Sequence, residues 1–317
     1  MKARSGRIVL LVKLLISAGM LAVLFGRLAD LRSVVDGFAT FIPTRYWSIA
    51  IALLLIMVNW GIEAIKWQFL VRKIYRPSFF DTLQFVFTGV TIGFITPGRS
   101  GEFAGRMILM PEWVRLKSLA LSFLGGIAQV IPIAMSALLF VFLSAFNPLG
   151  KVADAVLLSL TLLIFLLLFW GVDFWIKQFK IKRLFAHIEL VPEQLPSFSA
   201  KWMILILAFL RFFIFVIQYL LVLYAIGLSP FDTLAPVVWM LLLQSLSPAV
   251  AILDMGVRGS IAFWVFTQYG LYTPEVLSGV FLIWFFNLCI PALAGYFFIL
   301  KWKNTNPENA VYASHKS

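Results

Sequence analysis

Six stretches of this chain, at about 8–26, 47–70, 118–146, 152–176, 202–226 and 276–300, are predominantly apolar over the length a membrane crossing needs. A hydrocarbon core of roughly 30 Å takes about 20 helical residues. Lipid offers no partner to a free backbone N–H or C=O, so runs of this length are predicted to be helices. The composition agrees: with 62% hydrophobic and 13% charged residues, the 317-residue chain has too little polar surface to face water as a soluble domain. The formal charge of +12 is explained by cationic cytoplasmic loops and does not call for nucleic acid. A single cysteine, Cys289 in an apolar run, excludes an internal disulfide, and with only His187 and His315, both outside the runs, no metal or cofactor site is expected.

The cations set an orientation. With the N-terminus in the cytoplasm, Arg72, Lys73 and Arg76, then Arg115 and Lys117, then Lys177, Lys180, Lys182 and Arg183, and last Lys301 and Lys303 all fall inside. Arg27, Arg32 and Arg45 in the first external loop are the misfit. The run at 8–26 follows Lys2, Arg4 and Arg7 like a signal peptide, but Lys13 interrupts it and no small-x-small cleavage site follows, so a retained helix is expected. The domain reading is one transmembrane unit over 1–317: a first half at 7–176, a cytoplasmic connector at 177–200, a second half at 201–302 and a cytoplasmic tail at 303–317. Both termini are expected in the cytoplasm, in the cell membrane.

Two further regions are apolar but broken by Pro, Gly and charge, and they repeat one another. Phe80-Asp81-Thr82-Leu83 recurs as Phe231-Asp232-Thr233-Leu234, and Pro97 recurs as Pro248, both at an offset of 151. After a one-residue slip, Glu102 and Arg106 match Asp254 and Arg258 at an offset of 152. By the cation count, the copy at 79–111 enters and leaves on the inside and the copy at 231–271 on the outside. Arms of about 15 residues are too short to cross untilted. The predicted fold is therefore an all-α polytopic membrane protein with about six full transmembrane helices plus two oppositely oriented re-entrant helical hairpins. Such inverted repeats bind substrate at midplane, where broken helices meet.

The charges in these hairpins carry the chemistry. Pro97 ends one helix, the glycines of Gly98-Arg99-Ser100-Gly101 allow a turn, and Ser100 is expected to cap a second helix beginning near Gly101. Helix N-termini and the planar donors of Arg99, Arg106 and Arg258 suit a phosphate. An ionisable residue at the bilayer centre costs about 2.5–3.5 kcal/mol, which marks Glu102, Asp254 and the arginines as paired, functional or both. Glu102 with Arg106, and Asp254 with Arg258, have the i, i+4 spacing of ion pairs, and Glu63 with Lys66 the i, i+3 spacing. Arg99 is read without a local acid and Arg211 without an obvious partner. Lys13 is read as snorkelling or packing between helices, and Asp81 and Asp232 as caps or first-turn acids. The candidate substrate-binding residues are Arg99, Glu102, Arg106, Asp254, Arg258, Arg211, Ser100, Glu63 and Lys66, with no catalytic residue and no metal ligand among them.

At these residues the chain resembles the lysylphosphatidylglycerol synthase transmembrane region, also called the flippase-like domain family. Pro97-Gly98-Arg99-Ser100-Gly101-Glu102 followed by Arg106 is similar to its first motif, and Pro248 through Gly256-Val257-Arg258 to a later one, with the likeness in segment order extending over about 7–302. Departures are Glu112-Trp113-Val114-Arg115-Leu116-Lys117-Ser118, which lacks an expected Asp, and Ala249-Val250-Ala251, which replaces a glycine pair. The resemblance implies a transporter that moves a phosphate-containing lipid, anionic or aminoacylated, across the membrane by alternating access. The alternatives are a membrane-embedded transferase using polyprenyl-phosphate or phospholipid substrates and a non-catalytic partner of such an enzyme. The sequence contains no synthase domain, so aminoacyl transfer is not expected of it. The partner is the phosphate headgroup of a membrane lipid; a homo-oligomer is admitted, and neither cofactor nor nucleic acid is expected.

Overall fold

The computed structural model describes residues 43–96, 99–144, 146–178, 192–246 and 251–301, with backbone alone at 175–178, 192 and 251–255. Every regular element among them is helical: α1 Tyr46–Val71, α2 Phe79–Ile95, α3 Gly101–Gly105, α4 Glu112–Leu143, α5 Lys151–Gln178, α6 Phe198–Ala225, α7 Pro230–Leu246, α8 Ala251–Gln268, α9 Pro274–Trp284 and α10 Ile290–Lys301. A short 3₁₀ turn lies at Pro192–Gln194, and one π-helical turn, Phe285–Cys289, joins α9 to α10. Five spans are long and apolar enough to cross a membrane: α1, α4, α5, α6 and the continuous α9–α10. They match five of the six runs expected; the run at 8–26, with Lys13, lies outside the described residues, as do the tail at 303–317 and most of the connector at 177–200.

The internal repeat in the sequence is a repeat in space. α2 and α7 are both 17 residues long and start at Phe79 and Pro230, 151 residues apart. Ser78 and Asp81 form a reciprocal capping box at the head of α2, so Asp81 is the cap its position suggested; Asp232 is a first-turn acid of α7. Before Pro97 the chain turns extended at Thr96, as a residue preceding proline does, and α2 stops.

α1 and α6 lie antiparallel: Thr44 N–H donates to Ala225 O, Gln218 Nε2 to Ala52 O and Arg211 Nε to Asn59 Oδ1. The hairpins flank this pair and exchange partners. α2 packs on α10, where Thr91 Oγ1 donates to Ala292 O at 2.7 Å. A Cβ at Gly295 would lie 2.1 Å from Phe87 O, so only glycine lets the two backbones approach so closely. α7 packs on α4 instead, through Val238, Trp239, Ala137 and Val141.

The hairpins open at opposite ends of the bundle. The first begins and ends beside the α1–α2 loop, where Tyr75 meets Trp113 edge to face at 6.2 Å and Lys73 donates to Glu193 O. The second ends where the Tyr269 and Ser144 hydroxyls lie 2.8 Å apart, at the end shared by Thr44 and Ala225. The arms are unequal, however. Arms of about 15 residues describe α2, α7 and α8, whereas the return arm of the first hairpin is the five-residue α3 followed by turns to Met110. Glycines explain the short arm: Gly105 packs against Gly89 and Ile92 and Gly101 against Thr96 with no room for a Cβ, and Gly93 lies tightly against Glu102.

α5 lies at the edge, with Val156, Leu160, Leu163, Ile164 and Leu167 exposed. So long an apolar face has no place in water and fits lipid.

Candidate functional site

Asn59, Trp60, Glu63, Lys66 and Trp67 recur at helical spacing and share one face of α1, all buried. Asn59 is 13 residues from Tyr46 and 12 from Val71, and Arg211 is 13 from Phe198 and 14 from Ala225. At 1.5 Å per residue both lie roughly 20 Å from either end of the bundle, at mid-depth.

Glu63 is the hub. Its carboxylate lies 2.7 Å from Lys66 Nζ, 2.8 Å from an Arg106 nitrogen and 2.9 Å from an Arg211 nitrogen. Arg106 also reaches Glu102 at 2.8 Å, and Glu102 holds Arg99 at 2.7 Å. Thus one network runs from α1 through α3 to α6. Trp67 lies under the Arg106 guanidinium at 5.3 Å and Trp60 under Arg211 at 5.2 Å, so aromatic faces share the desolvation of both. Gln129 of α4 closes it, its Oε1 accepting from Lys66 at 3.1 Å and from Arg211 at 3.4 Å. Four cations meet two carboxylates here, a net of 4 − 2 = +2.

The network borders a cavity of about 220 Å³, into whose wall Arg99 comes from the first hairpin tip, Arg211 from α6 and Arg258 from the second hairpin. At about 30 Å³ per water that is room for roughly seven waters, enough for a headgroup but not for acyl chains. Arg99 has a φ of +56°, the left-handed region that a non-glycine residue seldom occupies. Strain of that kind costs of order 1–3 kcal/mol, and here it falls on the residue that presents a guanidinium to the cavity. Asn287 reaches the wall from the π turn, a distortion frequent at functional sites.

Several expectations change. Ser100 occupies the N-cap position of α3 but makes no capping bond; Thr96 Oγ1 accepts from Gly101 N–H at 2.9 Å instead, because the extended Thr96 brings its hydroxyl back over the turn. Arg99 does have a local acid, Glu102, three residues on. Arg211 has a partner too, Glu63, which lies far from it in sequence and becomes its neighbour only when α1 and α6 pack. The i, i+3 pair of Glu63 with Lys66 and the i, i+4 pair of Glu102 with Arg106 both form. Arg258 donates to Gln244 Oε1 at 2.9 Å; the side chain of Asp254 lies outside the described residues.

Sequence reasoning missed the uncharged half of the site: Asn59, Gln129, Gln244 and Asn287, with Trp60 and Trp67. The amides left a signal, since a polar side chain in an apolar span needs a buried partner, but it is weaker than that of a charge. Among the described residues no three His, Cys, Asp or Glu side chains come together to hold a metal ion.

Paired helices, hairpins opening at opposite ends and a cationic cavity at mid-depth define a class: a multi-pass, all-helical membrane protein built on an inverted repeat. The chain belongs to the lysylphosphatidylglycerol synthase TM region family, whose model matches residues 10–295. No curated protein and no solved structure matches the chain.

Proposed function

We propose that this protein moves a phosphate-containing lipid across the cell membrane by alternating access, with both termini in the cytoplasm. The observation that carries the reading is the net +2 of the Glu63 network beside a mid-depth cavity. Excess buried cation in a low-dielectric setting favours an anion, and Arg99 and Arg211, both in the wall and with side chains still 33% and 20% exposed, can reach one. The lipid's phosphate would sit between the hairpin tips with its chains in the surrounding bilayer. Rocking one repeat against the other would open the cavity to each leaflet in turn.

The reading includes no bond-breaking step. Glu63 and Glu102, the carboxylates a transferase would use as general base, are each engaged by two or more cations, and neither is among the described residues that line the cavity, so a substrate there meets arginines and not a base. Glu63 and Glu102 hold the arginines in position.

The test is lipid movement in proteoliposomes with a leaflet-specific readout. Arg99→Gln is expected to fold and to lose at least tenfold in rate. Folded Arg99→Gln protein with the full wild-type rate refutes the proposal, as does turnover of a polyprenyl-phosphate donor without movement of lipid.

A further inference from the structure

Each repeat sends its last span across to the other. The first part of α4 lies with the first hairpin, where the rings of Phe103 and Phe123 are 4.7 Å apart and Arg115 Nε donates to Met110 O at 2.9 Å. Its last turns share a core with the second hairpin instead, Ala137 and Val141 with Val238 and Trp239. The α9–α10 span does the reverse. Val280 and Ile283 of α9 share a core with Met240 of α7 and Phe266 of α8, whereas Ala292 of α10 takes its hydrogen bond from Thr91 of α2. Two unbroken rods that cross in this way would tie the hairpins together, and one repeat could not rock against the other without bending both.

Both rods are broken at the level of the cavity. Pro132 lies inside α4 and, having no N–H, gives Ala128 O no helical donor. In the other span the π turn at Phe285–Cys289 has the Ile290 N–H reaching back five residues to Phe285 O, and Pro291 follows at once. Gln129 and Ile133 on either side of Pro132, and Trp284, Asn287 and Leu288 at the π turn, line the cavity. Prolines and π turns are where helices kink. The offset of 152 that relates the later parts of the two repeats takes Pro132 to Trp284, the residue before the π turn. The break therefore falls at the same place in both repeats. The other full spans, α1, α5 and α6, contain neither feature. The Asn287 side chain supports the turn: its Nδ2 donates to Ile283 O at 3.1 Å and its Oδ1 accepts from Asn59 of α1 at 3.2 Å. A side chain that serves a backbone carbonyl in this way keeps a distorted helix satisfied within lipid.

We propose, resting on the transport reading above, that Pro132 and the Phe285–Cys289 turn are paired hinges. α4 and α9–α10 bend there. The first hairpin, with the start of α4 and with α10, swings against the second hairpin, with α9 and the end of α4, while the α1–α6 pair stays straight between them. The cavity, which lies between the hinges, opens at one end of the bundle at a time.

The experiment measures distances across the hinges by pulsed electron spin resonance on the full chain in nanodiscs. Nitroxides are placed at Phe80→Cys, at the head of α2, and Phe142→Cys, near the end of α4, both exposed, in a Cys289→Ala background. Without hinge changes, the protein is expected to show two distance populations, or one that shifts between phosphatidylcholine and phosphatidylglycerol nanodiscs. Pro132→Ala restores the missing N–H. Deletion of Phe285 removes the extra residue of the π turn and leaves the faces of α9 and α10 in register. Each change is expected to leave one fixed population and to slow lipid movement in phosphatidylglycerol proteoliposomes at least tenfold. Pro236→Ala, in the second turn of α7, is expected to alter neither readout. A single fixed population before any hinge change overturns the hinges, and so does a folded Pro132→Ala or Phe285-deleted protein that keeps the original distances and rate; either variant decides if the other fails to fold. Equal loss of rate in Pro236→Ala overturns them too. Two populations without any lipid movement refute the transport reading and leave the hinges standing.

Discussion

Replacing Glu63 with Gln removes the carboxylate on which Lys66, Arg106 and Arg211 converge at 2.7, 2.8 and 2.9 Å. The change is nearly isosteric, so what it tests is charge. The cluster goes from four cations on two carboxylates to four on one, a net of 4 − 1 = +3 in place of +2, around a side chain only 2% exposed. Breaking one buried pair by removing a partner costs about 3–5 kcal/mol. The cost here is not three times that figure, because each cation keeps a second acceptor: Arg106 has Glu102, Arg211 has Asn59 and Gln129, and Lys66 has Gln129. We therefore expect Glu63→Gln to lose about 3–5 kcal/mol in reversible unfolding in mixed micelles. Glu102→Gln is expected to lose less, about 1–3 kcal/mol, since Glu102 is 17% exposed and Arg106 retains Glu63. Adding Lys66→Met to Glu63→Gln removes one of the stranded cations and should recover about 1 kcal/mol or more relative to the sum of the single changes. A Glu63→Gln loss below about 0.5 kcal/mol, or one smaller than that of Glu102→Gln, would refute the hub.

Two further changes test the scaffold that aims the site. Gly295→Ala puts a Cβ 2.1 Å from Phe87 O, a backbone atom that cannot rotate away. The α2–α10 contact must open, at a cost of about 1–3 kcal/mol in a thermal melt; an unchanged melt removes the close-approach argument. Thr96→Val keeps shape but deletes the oxygen that accepts from Gly101 N–H, and a lost cap is worth about 0.5–2 kcal/mol. If Ser100→Ala proves the more damaging of the two, the capping assignment is wrong.

Much of the fold was legible because lipid punishes exceptions. Spans of about 20 apolar residues are demanded by bilayer thickness, and five of them lie within one to six residues of their expected limits. The 151-residue offset was legible because both hairpins need the same stop, proline after a 17-residue helix. Charges in apolar sequence announced the site, since such residues are kept only for a reason. Local pairs such as Glu63 with Lys66 followed from helical spacing alone.

What the sequence could not hold is distance. Glu63 and Arg211 are 148 positions apart, and only the antiparallel packing of α1 on α6 makes them partners. The same packing turns Gln129 and Asn59 from inconspicuous amides into acceptors for two cations. The spacing predicts a return arm of about 15 residues after Arg99; close glycine contacts of Gly89, Gly93, Gly101 and Gly105 leave it one short turn of helix, because the space beside α2 admits backbone and little else. By itself the sequence determined that the chain lives in lipid, that it repeats, and which charges are costly enough to matter, since each of those depends on transfer energy and local periodicity. Tertiary structure alone decided which distant charges face one another and how much positive charge remains over at the cavity, because a Coulomb interaction depends on separation in space and not on separation along the chain.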